Sequence, residues 1–333
     1  MSKTTEKKEL ASYPSYADLR TRTDGPPGSS WGVFGPQDQV GAVNFLTPDR
    51  VLDGVKCVRK GSTFNLDYPI NHFEPPPARF RKSAKHTVLQ FKKYSRDDVL
   101  DGLFLQITSH IDGLRHKQHN SHGFYNYTAA ERVVPGDPTI GVNRWAERGG
   151  LVGRAVLLDV AGYRLRKGNP LDHRAAEPIG PDLLESVAAD QGVEVRPGDM
   201  LLIRTDWPRH FFATVRSDFE TARFGAGLDQ SYEMLAWLWD HRIPLAAADN
   251  LALEAIPERI DSPFGERDSE SGVDGKIHPQ LIGLLGLVVG ELWKLDELAA
   301  DCASDGVYEA LLVVKPLNLT GGVASPANAV AIK

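Results

Sequence analysis

Apolar and polar residues alternate from Leu103 to Asp112. Leu103, Leu105, Ile107 and Ile111 are set against Gln106, Thr108, His110 and Asp112. A period of two predicts a strand with one apolar and one polar face, and it puts Gln106, His110 and Asp112 on the same side. Other runs do not alternate. Ala155–Val160, Met200–Thr205 and Pro244–Ala248 are almost continuously apolar, which predicts strands covered on both faces. Ala310–Val314 and Ala329–Ile332 read as further strands.

Helical spacing fills the gaps. Asn143–Arg148 ends at Gly149-Gly150, and Pro181–Gln191 ends at Gly192. Proline inside the start and glycine past the end are the punctuation of a helix. Thr47-Pro48 resembles another helix start, and Leu228, Tyr232, Leu235, Ala236 and Trp239 recur as one inward helical face. The segment from His278 to Glu291 carries three glycines and predicts a short helix from Pro279, a break near Gly286 and a strand Leu287–Glu291. Helix-then-strand units of this kind predict a layered single α/β domain with a mixed β-sheet over residues 30–333. Residues 1–29 are expected to be a polar N-terminal arm. Residues 73–86, with Pro75-Pro76-Pro77 and Arg79, Arg81, Lys82 and Lys85, are expected to form a stiff basic surface loop.

Charge and composition narrow the class. A net charge of −6 with no long basic run argues against a nucleic-acid partner. Two cysteines, Cys57 and Cys302, form neither a CxxC nor a disulfide framework, so a reducing cytoplasm is expected. The polar first residues lack the apolar stretch of a secretory signal, and no run is long enough for a membrane span.

Four of the ten histidines fall between His110 and His122. An imidazole and a carboxylate pointing the same way from a strand, as in His110-x-Asp112, make a candidate metal or acid/base site. A solvated strand face would carry the same residue types. Glu291 closes a run that should be buried. Either the strand surfaces just before it, or the carboxylate is paired, protonated or bound to a metal. Asp159, Asp206, Asp249 and Glu254 stand near strand ends, where α/β folds place sites and, equally, caps and turns; none is assigned a catalytic role. P-loop, Gly-x-Ser-x-Gly and Gly-x-Gly-x-x-Gly signatures are absent, which argues against kinase, α/β-hydrolase and dinucleotide chemistry.

Taken together, these pieces resemble the metal-dependent cyclase family, which includes bacterial kynurenine formamidases and isatin hydrolases. The stretch Gln106-Ile-Thr-Ser-His110-Ile-Asp112-Gly-Leu-Arg-His116 is similar to the family's His-x-Gly-Thr-His-x-Asp-x-Pro-x-His. His278 with Glu291 is similar to its second His/Glu pair. Trp31-Gly32, Asp38-Gln39, Gly41–Asn44 and the tail from Pro316 extend the likeness to roughly residues 30–333. The resemblance implies a swivelling β/β/α fold, a homodimer or homotetramer, and a divalent metal held by Gln106, His110, Asp112 and His278, with His116 and Glu291 catalytic. Gln106 stands where the family has its first metal histidine, which favours one ion over two zincs, an oxygen-tolerant one such as manganese, with Mn or Zn as the candidates. The implied reaction is hydrolysis of an amide, formamide, lactam or ester of a small molecule. A cyclase or dehydratase acting on a polyketide-like substrate, and a non-catalytic member, are the alternatives. Trp31, Phe34, Tyr125 and Trp207 are expected to line a pocket for a flat substrate.

Overall fold

The continuous apolar runs form the middle of a nine-stranded mixed sheet. The computed structural model describes residues 10–265 and 275–333. In chain order the strands of that sheet are β1 (Thr63–Asn65), β2 (His110–Asp112), β3 (Leu151–Asp159), β4 (Met200–Arg204), β5 (Leu245–Ala248), β6 (Val288–Glu291), β7 (Glu309–Val314), β8 (Ala324–Pro326) and β9 (Ala329–Ile332). Across the sheet the order is β1-β9-β7-β3-β4-β5-β6-β2-β8. The four strands from β3 to β6 run parallel. Antiparallel strands flank them on both sides.

Both faces of the parallel strands are covered, as their composition predicts. Leu157, Met200, Leu202, Leu245, Ala247 and Val288 enter one core. Their immediate neighbours Val156, Leu158, Leu201, Ile203, Ala246, Ala248 and Val289 enter another. Successive side chains point to opposite faces, so every strand contributes to both cores. Helices Pro181–Gln191 and Tyr232–Asp240 cover the second core through Leu184, Val187, Met234, Leu235 and Leu238. The first of these helices ends as expected, with Gly192 in the left-handed conformation. No helix among the described residues is long and apolar enough to cross a membrane.

Several elements differ from expectation. Residues 1–9 of the expected polar arm lie outside the described residues. From Leu10 onward the chain is docked rather than free. Tyr16 and Leu19 are buried, Trp239 donates to the Pro14 carbonyl, and the Arg242 guanidinium donates to the carbonyls of Leu10, Tyr13 and Pro14.

The expected strand from Leu103 to Asp112 survives only as β2. Residues 103–109 turn instead, with the Ile107 amide bonded to the Phe104 carbonyl. The hydroxyls of Thr108 and Ser109 supply bonds that a ladder would have made. Ser109 donates to the Leu292 carbonyl at 2.5 Å and accepts from the Tyr68 amide at 2.8 Å. A separate hairpin, Lys85–Lys92 with Ser95–Asp101, precedes this turn. The basic stretch 73–86 is only partly a surface loop, because Phe73, Pro77 and Ala84 are buried.

Candidate metal centre

Strand β2 is three residues long and fully buried. It lies between β6 and β8, antiparallel to both. In its register with β6, His110 stands opposite Glu291 and Asp112 opposite Val289. Directly opposed residues share a face, and so do residues two apart on one strand. This geometry brings His110, Asp112 and Glu291 to one side of the sheet. Their ligand-type atoms lie within 4.8 Å of one another. His110 Nε2 is 3.1 Å from Glu291 Oε2 and 3.8 Å from Asp112 Oδ1.

The tautomer of His110 follows from its other nitrogen. Nδ1 lies 2.7 Å from the Thr108 carbonyl, which can only accept, so Nδ1 carries the hydrogen. Nε2 is left as a bare lone pair aimed at the two carboxylates. Among the described residues, His110 Nε2 and Asp112 Oδ2 are buried with no hydrogen-bond partner. Orphaned buried acceptors that face one another require explanation. One lone-pair imidazole and two carboxylates in a dry recess form the donor set of a divalent cation, and the residues present fit one.

His278 closes the cluster from the far side. It precedes the single helical stretch Pro279–Leu284. Its Nε2 is 3.0 Å from Glu291 Oε1 and 3.9 Å from Asp112 Oδ2. Its Nδ1 is 2.5 Å from Glu254 Oε1. Glu254 is fully buried and also accepts from the Gln230 amide and the Ile277 backbone. A carboxylate behind an imidazole that faces a cation site fixes the ring and its tautomer. Burial alone would lower the His278 pKa, but the hydrogen bonds and charges of Glu254 and Glu291 outweigh it and push it up to about 10. Glu291 is the converse case. Burial would raise its pKa, yet the imidazoles of His110 and His278 beside it hold it well below the usual carboxylate range.

His116 is the outermost member. Its side chain is 22% exposed, against 0% for His110 and Asp112, 4% for His278 and 8% for Glu291. Nε2 faces Asp112 Oδ2 at 3.5 Å. Gln106 Nε2 is 2.6 Å from Asp112 Oδ1 and 3.2 Å from His116 Nδ1. An amide nitrogen donates only, so His116 Nδ1 carries a lone pair. Burial pushes the His116 pKa below its ordinary value, with Asp112 pulling it partly back.

The arrangement changes two expected roles. Gln106 turns its amide nitrogen to the cluster and supports Asp112 as a donor, where a metal ligand was expected. Glu291 lies inside the cluster, with Oε1 on His278 and Oε2 facing the His110 lone pair, which suits a ligand better than a proton acceptor.

The four aromatics expected to line a substrate pocket do not do so. Trp31 is buried and donates to the Gly283 carbonyl. Tyr125 is buried with its hydroxyl on Asp38, and Trp207 is buried with its indole on the Phe224 carbonyl. Phe34 packs among Tyr13, Phe45 and Trp239. Proximity in sequence to the motifs said nothing about which way these rings face.

Of the strand-end acids, Asp159 caps the helix Val160–Arg166, and Asp249 accepts from the backbone of Thr205 and Asp206. Glu254, left open between a site and a cap or turn, lies behind His278. Its place just past an apolar strand was the one available signal. The cavity of about 580 Å³ near His173, Arg204 and His210 includes no member of the cluster. One of about 420 Å³, walled by Leu103, Phe104, Val134, Leu319 and Val323, reaches Gln106.

A family model described as "Putative cyclase" matches residues 72–255. A crystal structure described as a novel cyclase is 29% identical, with a TM-score of 0.76 over 92% of this chain and 99% of that one. An isatin hydrolase bound to the product analogue thioisatinate is 16% identical, with a TM-score of 0.50 over 86% of this chain and 98% of that one. Isatin hydrolase A from Labrenzia aggregata, bound to benzyl benzoate, is 15% identical, with a TM-score of 0.52 over 85% of this chain and 97% of that one. No curated protein sequence matches the chain.

Proposed function

Because this chain belongs to the cyclase family, we propose that it is a metal-dependent hydrolase that opens an amide, formamide, lactam or ester bond of a small substrate. One observation carries the reading. His110 Nε2 and Asp112 Oδ2 are buried acceptors without partners, and they converge with Glu291 on one point. Isatin hydrolases, which share the fold, are the precedent for hydrolysis on it.

His110, Asp112 and Glu291 would hold the ion, with His278 as the fourth group. Two imidazoles and two carboxylates suit a borderline divalent ion, manganese or zinc. A divalent ion there supplies a Lewis acid that acidifies water and polarises a carbonyl. Glu254 keeps His278 turned inward by taking its Nδ1 hydrogen. His116 does the proton work, because it is the cluster's most exposed member and its neutral form dominates at neutral pH. Its Nδ1 takes the proton of the attacking water and returns it to the leaving nitrogen or oxygen. The Gln106 amide that covers Nδ1 must turn aside as substrate enters.

The test is a hydrolysis screen of formamides, lactams, aryl amides and esters with Mn²⁺-loaded and chelated protein in ¹⁸O-enriched water. The reading expects Mn²⁺-dependent turnover with solvent oxygen in the product carboxylate. A product formed without solvent oxygen would replace hydrolysis with a cyclase or dehydratase reaction.

A further inference from the structure

The basic stretch that follows Pro75–Pro77 has one arginine whose direction the proposed chemistry leaves unused. The Asn71 side chain ties the two ends of segment 71–84 together. It donates to the Ala84 carbonyl at 2.7 Å and accepts from the Ala84 amide at 2.8 Å. Phe73 anchors the interior against Trp207 and Phe211. A loop closed at its base and plugged by its own side chains is compact rather than loose.

Two arginines leave this loop in different directions. Arg79 goes outward and pairs with Glu220. Arg81 goes inward and donates to the backbone carbonyl of Gln106, the residue whose side chain touches both Asp112 and His116.

Arg81 is only partly exposed, and it pairs with no carboxylate within 4 Å among the described residues. A guanidinium has five N–H donors, and one backbone carbonyl occupies few of them. Burial lowers its pKa, while the charges of Glu291 and Asp112 raise it, so both carboxylates lie within electrostatic reach. A half-desolvated cation with spare donors beside a catalytic cluster is costly until an anion meets it.

We propose that Arg81 is the anion-binding residue of this centre, and that the substrate carries a carboxylate beside the bond that is opened. The inference rests on the hydrolase reading above. A planar carboxylate can take two parallel N–H donors from the free edge of the guanidinium. That would hold the substrate with its reacting carbonyl toward His110 and Asp112. The apolar walls of the cavity that reaches Gln106 would receive the rest of the molecule.

The test is isothermal titration of benzoate, with neutral benzamide as control, into wild type, Arg81→Gln, Arg81→Lys and Arg79→Gln. Each protein is measured Mn²⁺-loaded and chelated, and Mn²⁺ affinity is measured separately. Wild type should bind benzoate better than benzamide. Arg81→Gln should bind benzoate about tenfold more weakly or worse, as expected for losing a bidentate charge-assisted pair. Arg81→Lys should recover part of the loss. Arg79→Gln should match wild type, and Mn²⁺ affinity should not follow the benzoate effect. Equal benzoate affinities in wild type and Arg81→Gln, or no benzoate binding to wild type, would overturn the proposal. A wild type that takes up neither Mn²⁺ nor Zn²⁺ would instead defeat the hydrolase reading. The same benzoate comparison on the chelated proteins would then decide the role of Arg81.

Discussion

At the scale of single residues, His110, Asp112, His278 and Glu291 were legible in the sequence. They are chemically conspicuous, and their spacing matches a known pattern. Glu254 was not legible, because a lone glutamate in an irregular segment acquires meaning only through the ring it faces. The two kinds of residue should behave differently on substitution. Asp112→Ala removes a carboxylate from the centre and should lose both bound metal and turnover. His116→Ala should retain metal, read by elemental analysis, while turnover falls about 10²–10⁴-fold, the usual contribution of a general base. Glu254→Gln keeps the shape but weakens the acceptor behind His278. It should lower metal affinity about 10–100-fold in a Mn²⁺ titration, as the loss of a group supporting a ligand does. An unchanged affinity would leave Glu254 a packing residue.

At the scale of elements, the parallel strands were legible because burial on both faces leaves mostly apolar residues along them. The segment before His110 was misread for a physical reason. Its alternation is real, but Ile107, Thr108 and Ser109 are all buried, and the hydroxyls satisfy the backbone in place of a neighbouring strand. The hairpin from Lys85 to Asp101 gave little signal because both of its faces carry charges.

The shortness of β2 makes its neighbours important. Trp293 on the far side of Glu291 donates from its indole to the His110 carbonyl at 2.9 Å. Gly290 leaves room for that ring. A Cβ at position 290 would lie 2.5 Å from Ala247 Cβ and 2.8 Å from Trp293 Nε1. Gly290→Ala is therefore expected to cost about 1–3 kcal/mol in denaturant unfolding and to weaken Mn²⁺ binding by shifting His110. The buried aromatics give the opposite separation. Trp207→Ala should lose about 3–5 kcal/mol of stability through the cavity it leaves. In a protein that still folds, the KM of any substrate found should stay near wild type. A KM rise without a stability loss would restore Trp207 to the pocket.

At the scale of the whole molecule, the sheet separates two cores, and the proposed centre sits where the parallel strands give way to antiparallel β2 and β8. The C-terminal end of β6 delivers Glu291 there, and the Pro279–Leu284 helix delivers His278. Residues about 180 positions apart in the chain thus depend on one another. Ligand binding to a preformed site stabilises the folded state by mass action. With free metal at 100 times its dissociation constant, the gain is about 2.7 kcal/mol, a rise in Tm of roughly 4 °C for a chain of this size. Asp112→Ala should show no such rise in a thermal scan.

The most direct measurement is the metal content of the purified protein after exposure to Mn²⁺ and dialysis, compared with His110→Ala and Asp112→Ala treated identically. About one ion per chain is expected in the wild type, and close to none in either variant. A wild type that emerges metal-free after Mn²⁺ and Zn²⁺, or variants that retain the full ion, would show that His110 and Asp112 hold no cation.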